Sequence, residues 1–190
     1  MDGTVKVWDC ERLYTIVTNR SRLTCKVRKG GIKALTMIEN SHCVASASDS
    51  GTQCSIHIFN IQHHREQTEN YNVTRYTGVD TVKYLDKEDG AVVDMMHYES
   101  NKMSVVMYGT ASGNIHAWDL RMKSLKRESF VLNNGARAGL LTSMIVDPSR
   151  NWMMVGTDEG VYTIWDLRFH LPVRSFRHPN GHGICKLLHY

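Results

Sequence analysis

The sequence predicts an all-β protein built from repeated four-stranded sheets, and three observations carry that prediction. One strand pattern recurs four times: it starts at a tight turn, alternates apolar and polar residues, and ends in an aromatic residue followed by Asp or Asn. Similar apolar runs precede that strand in the same order. The aromatic residues Trp8, Phe59, Trp118 and Trp165 are 51, 59 and 47 residues apart, which indicates one supersecondary unit per repeat.

The recurrent strand has a buried face. Apolar residues stand one and three positions before the aromatic residue, so they point to the same side of the strand. Between them lies a polar column, predicted to face the other way and to make hydrogen bonds or approach solvent. The apolar positions are Val5, Val7, Ile56, Ile58, Ile115, Ala117, Tyr162 and Ile164, and the polar column is Lys6, His57, His116 and Thr163.

A glycine opens each recurrent strand, because a tight hairpin needs a residue that tolerates positive φ. These residues are Gly3, Gly51, Gly113 and Gly160. In the second repeat, three further residues separate the glycine from the strand, which predicts a longer hairpin.

In each complete repeat, two further apolar runs precede the recurrent strand. Together they predict that the recurrent strand is the outer strand of its sheet. The nearer runs are 43–48, 105–110 and 152–157, and the earlier ones are 32–38, 92–97 and 141–147. Asp147, at the last turn, is expected to accept hydrogen bonds from backbone N–H groups. The polar stretch 62–72 is predicted to be a mobile excursion between repeats.

A strand that ends in Trp-Asp resembles the blade of a WD-repeat β-propeller. We therefore predict a partial WD-repeat β-propeller over residues 1–190, with about three complete four-stranded blades plus partial blades at both ends. Blade cores are expected at about 30–60, 90–120 and 139–167, the end of one blade at 1–9 and the start of another at 182–190. Since propellers close with roughly four to eight blades, we expect a piece of a longer protein whose open apolar faces promote aggregation.

Composition and charge exclude several classes of protein. Hydrophobic residues make up 42% of the chain and charged residues 22%, as in an ordinary globular protein, and no apolar run approaches the roughly 18 residues of a membrane span. Five cysteines without a Cys-x-x-Cys pair favour reduced thiols and an intracellular protein. Residues 1–40 hold eight basic and four acidic residues, which equals the whole net charge of +4. A solvated strand edge explains this better than an anionic membrane or an acidic partner, and no pattern indicates nucleic-acid binding.

No motif of an enzyme occurs in the sequence. There is no phosphate-binding loop, no Gly-x-Ser-x-Gly, no His-Glu-x-x-His and no protein-kinase signature. His57 and His116 belong to the polar column, and His178 and His182 lack the second ligand pair that a tetrahedral metal site needs. We therefore expect no catalytic residue, cofactor, metal or small-molecule substrate.

Three segments together resemble the C-terminal propeller of the regulatory subunit of class III phosphatidylinositol 3-kinase, of the vacuolar protein sorting family. They are 85–95, 139–143 and 165–175 with His178-Pro179, and the most specific is Trp-Asp-x-Arg-Phe-x-Leu-Pro at 165–172. The resemblance covers nearly the whole chain and is weak at 60–84 and 121–138. The family places a serine/threonine protein-kinase-like domain and helical repeats before the propeller, and this sequence contains neither.

The resemblance implies a non-catalytic protein-interaction scaffold. Family members hold the lipid kinase catalytic subunit and beclin-type coiled-coil subunits in one complex that acts in endosomal sorting and autophagy. A cytoplasmic protein, peripheral on late endosome and autophagosome membranes, is therefore expected. Within the chain, the expected structural anchors of the repeats are Trp8, Asp9, Phe59, Asn60, Trp118, Asp119, Trp165 and Asp166.

A rival function remains open. The segments Trp-Asp-Leu-Arg at 118–121 and 165–168 are similar to the box by which WD-repeat substrate receptors of cullin-type ubiquitin ligases contact an adaptor. In that interpretation Arg121 and Arg168 contact a partner. In the other, which we favour, they satisfy carbonyl groups of their own turns. The absence of Phe-Arg-Arg-Gly argues against a phosphoinositide-binding propeller.

Overall fold

The computed structural model describes residues 3–8, 23–26, 30–61, 75–76, 81–99, 103–122, 129–135 and 138–189. Within these ranges the regular structure is entirely β, which confirms the predicted all-β class. The strands are β1 (Thr4–Val7), β2 (Leu23–Lys26), β3 (Gly31–Met37), β4 (Cys43–Asp49), β5 (Cys54–Asn60), β6 (Arg75–Tyr76), β7 (Thr81–Tyr84), β8 (Val92–Glu99), β9 (Ser104–Thr110), β10 (Asn114–Asp119), β11 (Phe130–Asn133), β12 (Leu141–Val146), β13 (Trp152–Thr157), β14 (Val161–Asp166) and β15 (Leu171–Arg177).

Three antiparallel sheets repeat one strand order. The first sheet is β3-β4-β5-β7, the second is β8-β9-β10-β11 and the third is β12-β13-β14-β15. The strands β1, β2 and β6 form a smaller sheet, in which β6 pairs with β2 in parallel. Because the inner strands β3, β8 and β12 contact one another in that order, the three sheets follow each other around a common axis.

The prediction that the recurrent strand is the outer one was wrong. The strands β5, β10 and β14 are third in their sheets, and a fourth strand follows each of them. The outer strands β7, β11 and β15 show no clear apolar pattern in the sequence, because each has a single neighbouring strand. In β15, for example, every residue except Phe176 is exposed, so no apolar alternation is required.

The recurrent strands β5 and β10 are buried on both faces because sheets pack on either side of them. The predicted apolar face is covered, with Ile56 and Ile115 at 0% exposure, but His57 in the polar column is also only 4% exposed. Its Nε2 atom is 2.8 Å from Ser55 Oγ. His116 lies 3.1 Å from an oxygen of Asp89 through its Nε2 atom, and its ring stacks on Tyr108. Hydrogen bonds therefore compensate the buried polar column.

The predicted turn chemistry is confirmed. Gly51, Gly113 and Gly160 all have positive φ. The hairpin between β4 and β5 is longer than the other two by one residue. The Asp147 carboxylate accepts the backbone N–H groups of Ser149 and Trp152 at 3.1 and 2.8 Å. Burial opposes this charge, yet a hydrogen bond from the Ser149 hydroxyl and these backbone hydrogen bonds hold the pKa of Asp147 below its usual value.

Glycines in β9 and β13, the second strands of their sheets, allow neighbouring parts of the chain to approach closely. A Cβ atom on Gly109 would lie 2.8 Å from the side chain of Leu141, the first residue of the next inner strand. At the equivalent Gly156 it would lie 2.6 Å from Ile184. The missing side chain leaves a notch at each glycine. In the second sheet this notch receives the inner strand of the third sheet, and in the third sheet it receives a residue of the segment 183–189.

Candidate interaction surface

Three of the four recurrent aromatic residues lie in the cores between sheets. Phe59 and Trp118 are 1% exposed and Trp165 is 5% exposed. Trp118 packs in the core shared by the first and second sheets, where the amino group of Lys83 stands 5.7 Å from its ring centroid. Trp165 packs in the core shared by the second and third sheets. Each aromatic residue therefore joins its own sheet to the preceding one.

The first member of the series differs from the others. Trp8 is 42% exposed, and Asp9 lies outside the described residues. The stretch 62–72, expected to be a mobile excursion, also lies outside them, as do most of the basic residues in 1–40, namely Arg12, Arg20, Arg22, Arg28 and Lys29.

The acidic residue after the aromatic fixes the following turn. In the second sheet, Asp119 Oδ1 accepts the N–H of Arg121 at 3.0 Å. In the third sheet, Asp166 Oδ1 accepts the N–H of Arg168 at 2.9 Å. The two turns are thus built alike. In the first sheet the corresponding Asn60 pairs with Cys43 in the ladder between β4 and β5.

Arg121 and Arg168 contact carboxylates, whereas the sequence suggested turn carbonyls. Arg168 donates from Nε and Nη2 to the two oxygens of Asp166, at 3.1 and 2.6 Å. These hydrogen bonds hold the pKa of Asp166 below its usual value. Arg121 Nη2 lies 2.9 Å from Glu99 Oε1. The arginine side chains are still 44% and 52% exposed, so each presents a neutralised but accessible guanidinium group.

An exposed aromatic cluster surrounds Arg168, and the sequence had not indicated it. The guanidinium carbon is 5.4 Å from the ring centroid of Trp152 and 5.5 Å from that of Phe169. Phe169 is 69% exposed and Trp152 is 37% exposed. Trp152 begins β13, whereas Phe169 lies in the turn between β14 and β15, and only folding brings them together. Partly exposed aromatic residues beside an arginine are typical of protein contact sites.

A broad apolar groove covers one face of the third sheet. Its volume is about 640 Å³. The equivalent residues of the second sheet, Met107 and Ala117, are completely buried against the third sheet, whereas Met154 and Ile164 are half-buried. The groove is lined mainly by Trp152, Met154, Ile164, Val173, Arg174, Phe176, Leu187 and Leu188.

The chemistry of an enzyme or metal site is not evident in the described part of the chain. Its His, Cys, Asp and Glu residues form no group of three that could hold a metal ion. His178 and His182 stack on each other, with ring centroids 5.6 Å apart, in a loop after β15. No helix in the described ranges is long and apolar enough to cross a membrane.

Comparison with known proteins identifies relatives along nearly the whole chain. No family model matches it. The probable serine/threonine-protein kinase vps15 of Dictyostelium discoideum is 44% identical over 95% of this chain, and serine/threonine-protein kinase VPS15 of Arabidopsis thaliana is 35% identical over 94%. The matches cover 9% and 12% of these relatives, so the chain spans about a tenth of their length.

A solved structure supports the fold. The β-propeller domain of Cps50 (Swd1) from Myceliophteria thermophila superposes with a TM-score of 0.71 and 15% sequence identity. The superposition covers 98% of this chain and 53% of that domain's chain. The likeness confirms the predicted partial β-propeller, and at this identity it concerns the fold alone.

Proposed function

This chain is homologous to a segment of the VPS15 proteins, and on that premise we propose that it is a non-catalytic interaction scaffold within a class III phosphatidylinositol 3-kinase complex. The observation that carries the proposal is the 44% identity over 95% of the chain. The relatives are named as kinases, but the matched segment is a β-propeller covering about a tenth of their length. This chain is therefore not the kinase part of such a protein.

The architecture suits a scaffold. The strands β5 and β10 are buried on both faces, and Phe59, Trp118 and Trp165 are only 1–5% exposed, so neighbouring sheets are held together rigidly. A rigid surface loses little conformational entropy when a partner binds. We propose the lipid kinase catalytic subunit and beclin-type coiled-coil subunits as partners, with the complex peripheral on late endosome and autophagosome membranes during endosomal sorting and autophagy.

We also propose that residues 182–190 begin a further blade. The described part, 182–189, has no regular strand, yet it repeats two contacts of an inner strand. Ile184 fills the notch at Gly156. The N–H of Leu187 donates to Ser143 Oγ at 3.1 Å, as the N–H of Met144 donates to Asp94 Oδ2 at 2.9 Å. The groove on the third sheet is then the face on which that blade packs.

Affinity purification tests the scaffold against the ubiquitin-ligase receptor. The tagged protein, in the longest form that its cells produce, is compared with a variant carrying Arg121→Ala and Arg168→Ala. Because both arginines pair with carboxylates inside the fold, we expect both proteins to recover a lipid kinase and a coiled-coil subunit. Recovery of a cullin adaptor by the wild type alone would contradict the scaffold and favour the receptor, whose exposed arginines would act as a binding hot spot.

A further inference from the structure

One carboxylate at the hairpin end of the inner strands joins three consecutive sheets. Glu39 follows β3 of the first sheet, and its Oε2 atom accepts the N–H of Glu99 in the second sheet at 3.1 Å. The same oxygen lies 2.7 Å from Nη2 of Arg150 in the third sheet. The N–H of Glu39 donates to Nδ1 of His97 at 3.0 Å. Glu39 therefore contacts the next sheet and the sheet after it.

A second carboxylate repeats this arrangement at the opposite end of the inner strands. Asp94 lies in β8 of the second sheet, and its Oδ2 atom accepts the Met144 N–H and the Ser143 hydroxyl of the third sheet, at 2.9 and 3.1 Å. The amino group of Lys186, beyond the third sheet, lies 3.1 and 3.2 Å from the two oxygens. Asp94 therefore also reaches past the adjacent sheet.

In repeat architectures each unit normally contacts its immediate neighbours, so stability is passed along one interface at a time. The pairs Glu39–Arg150 and Asp94–Lys186 connect units that are two apart. We propose that these four residues form an axial clamp, which makes the first sheet, the second sheet, the third sheet and the segment 183–189 open together rather than one after another. The proposal does not depend on which partners bind.

The geometry explains how weak ion pairs can have this effect. The cations are partly exposed, with Arg150 at 37% and Lys186 at 56%, and isolated pairs of this kind contribute little. Each carboxylate is, however, already held by backbone N–H groups of a neighbouring sheet. Little further ordering is needed for the cation to bind. Detaching the sheet that holds the carboxylate then breaks its hydrogen bonds to two other units.

Hydrogen–deuterium exchange, measured on the protein in the longest form that its cells produce, tests the clamp. Glu39→Gln keeps the size of the side chain and removes its charge. We expect exchange to rise about three- to tenfold in β12 and β13 of the third sheet as well as in β3 and β4. Arg168→Gln is the matched control, because the Arg168–Asp166 pair, at 2.6 Å, lies within the third sheet. Its effect should stay in the third sheet. A Glu39→Gln effect confined to the first sheet would overturn the proposal.

A second variant keeps the test decisive if Glu39→Gln does not fold. Lys186→Gln changes an exposed side chain outside the strands, and the clamp predicts faster exchange in β8, which lies two units away. Unchanged exchange in β8 would contradict the proposal. The double variant Glu39→Gln with Arg150→Gln should raise exchange no further than either single variant, because both changes remove the same pair, and additive effects would also contradict the proposal.

Discussion

Replacing Trp118 by Ala should be among the most damaging single substitutions in the chain. The side chain is 1% exposed, and a buried tryptophan removes roughly 150 to 250 Å² from water. At about 25 cal/mol per Å² this corresponds to about 4 to 6 kcal/mol, an upper value because the unfolded chain already buries part of that area. We expect a loss of about 3 to 5 kcal/mol in the free energy of unfolding.

The indole N–H of Trp118 sharpens this prediction. It is buried, and the described residues offer it no hydrogen-bond partner, so Trp118→Phe removes an unsatisfied donor together with some area. We expect that variant to lose less than about 1.5 kcal/mol.

Urea denaturation measures both variants, with Trp152→Ala as the matched control because Trp152 is 37% exposed. The control should lose clearly less stability than Trp118→Ala. If Trp118→Ala kept the midpoint of the wild type and lost only partner binding, Trp118 would be an exposed contact and the packing described here would be refuted.

Three further outcomes are expected. Burial lowers the pKa of His97, and Arg150 lowers it further, although Glu39 and Glu99 raise it. The unfolded chain therefore binds the proton more readily than the folded chain, so the free energy of unfolding should fall as the pH drops below about 6.5. In acid melts, His97→Gln should lose this part of the pH dependence. Gly109→Ala should destabilise by about 1 to 3 kcal/mol in urea melts because the new Cβ would meet the next inner strand, and an unchanged midpoint would exclude that close approach. The isolated chain should self-associate through its open groove, and a monodisperse 21.7 kDa species in light scattering would contradict this.

The recurrent strand was predictable because burial on both sides imposes a strict pattern on it. Each copy must present apolar residues, a glycine turn and a closing aromatic residue, and the structure places β5, β10 and β14 where the pattern does. The family resemblance was also available from the sequence and is confirmed by the relatives. The fourth strands were not predictable, since an exposed edge such as β15 tolerates almost any residue.

The sequence by itself determined the all-β class, the repeated unit, its turns and its similarity to a segment of the VPS15 proteins, because these depend on local periodicity and on residues close together in the chain. Tertiary structure alone decided that Arg168 joins Trp152 and Phe169 in one cluster, and that Glu39 meets Arg150, 111 positions away. Such contacts depend on how successive sheets are placed around the axis. That placement results from side-chain packing between sheets, which no local pattern encodes.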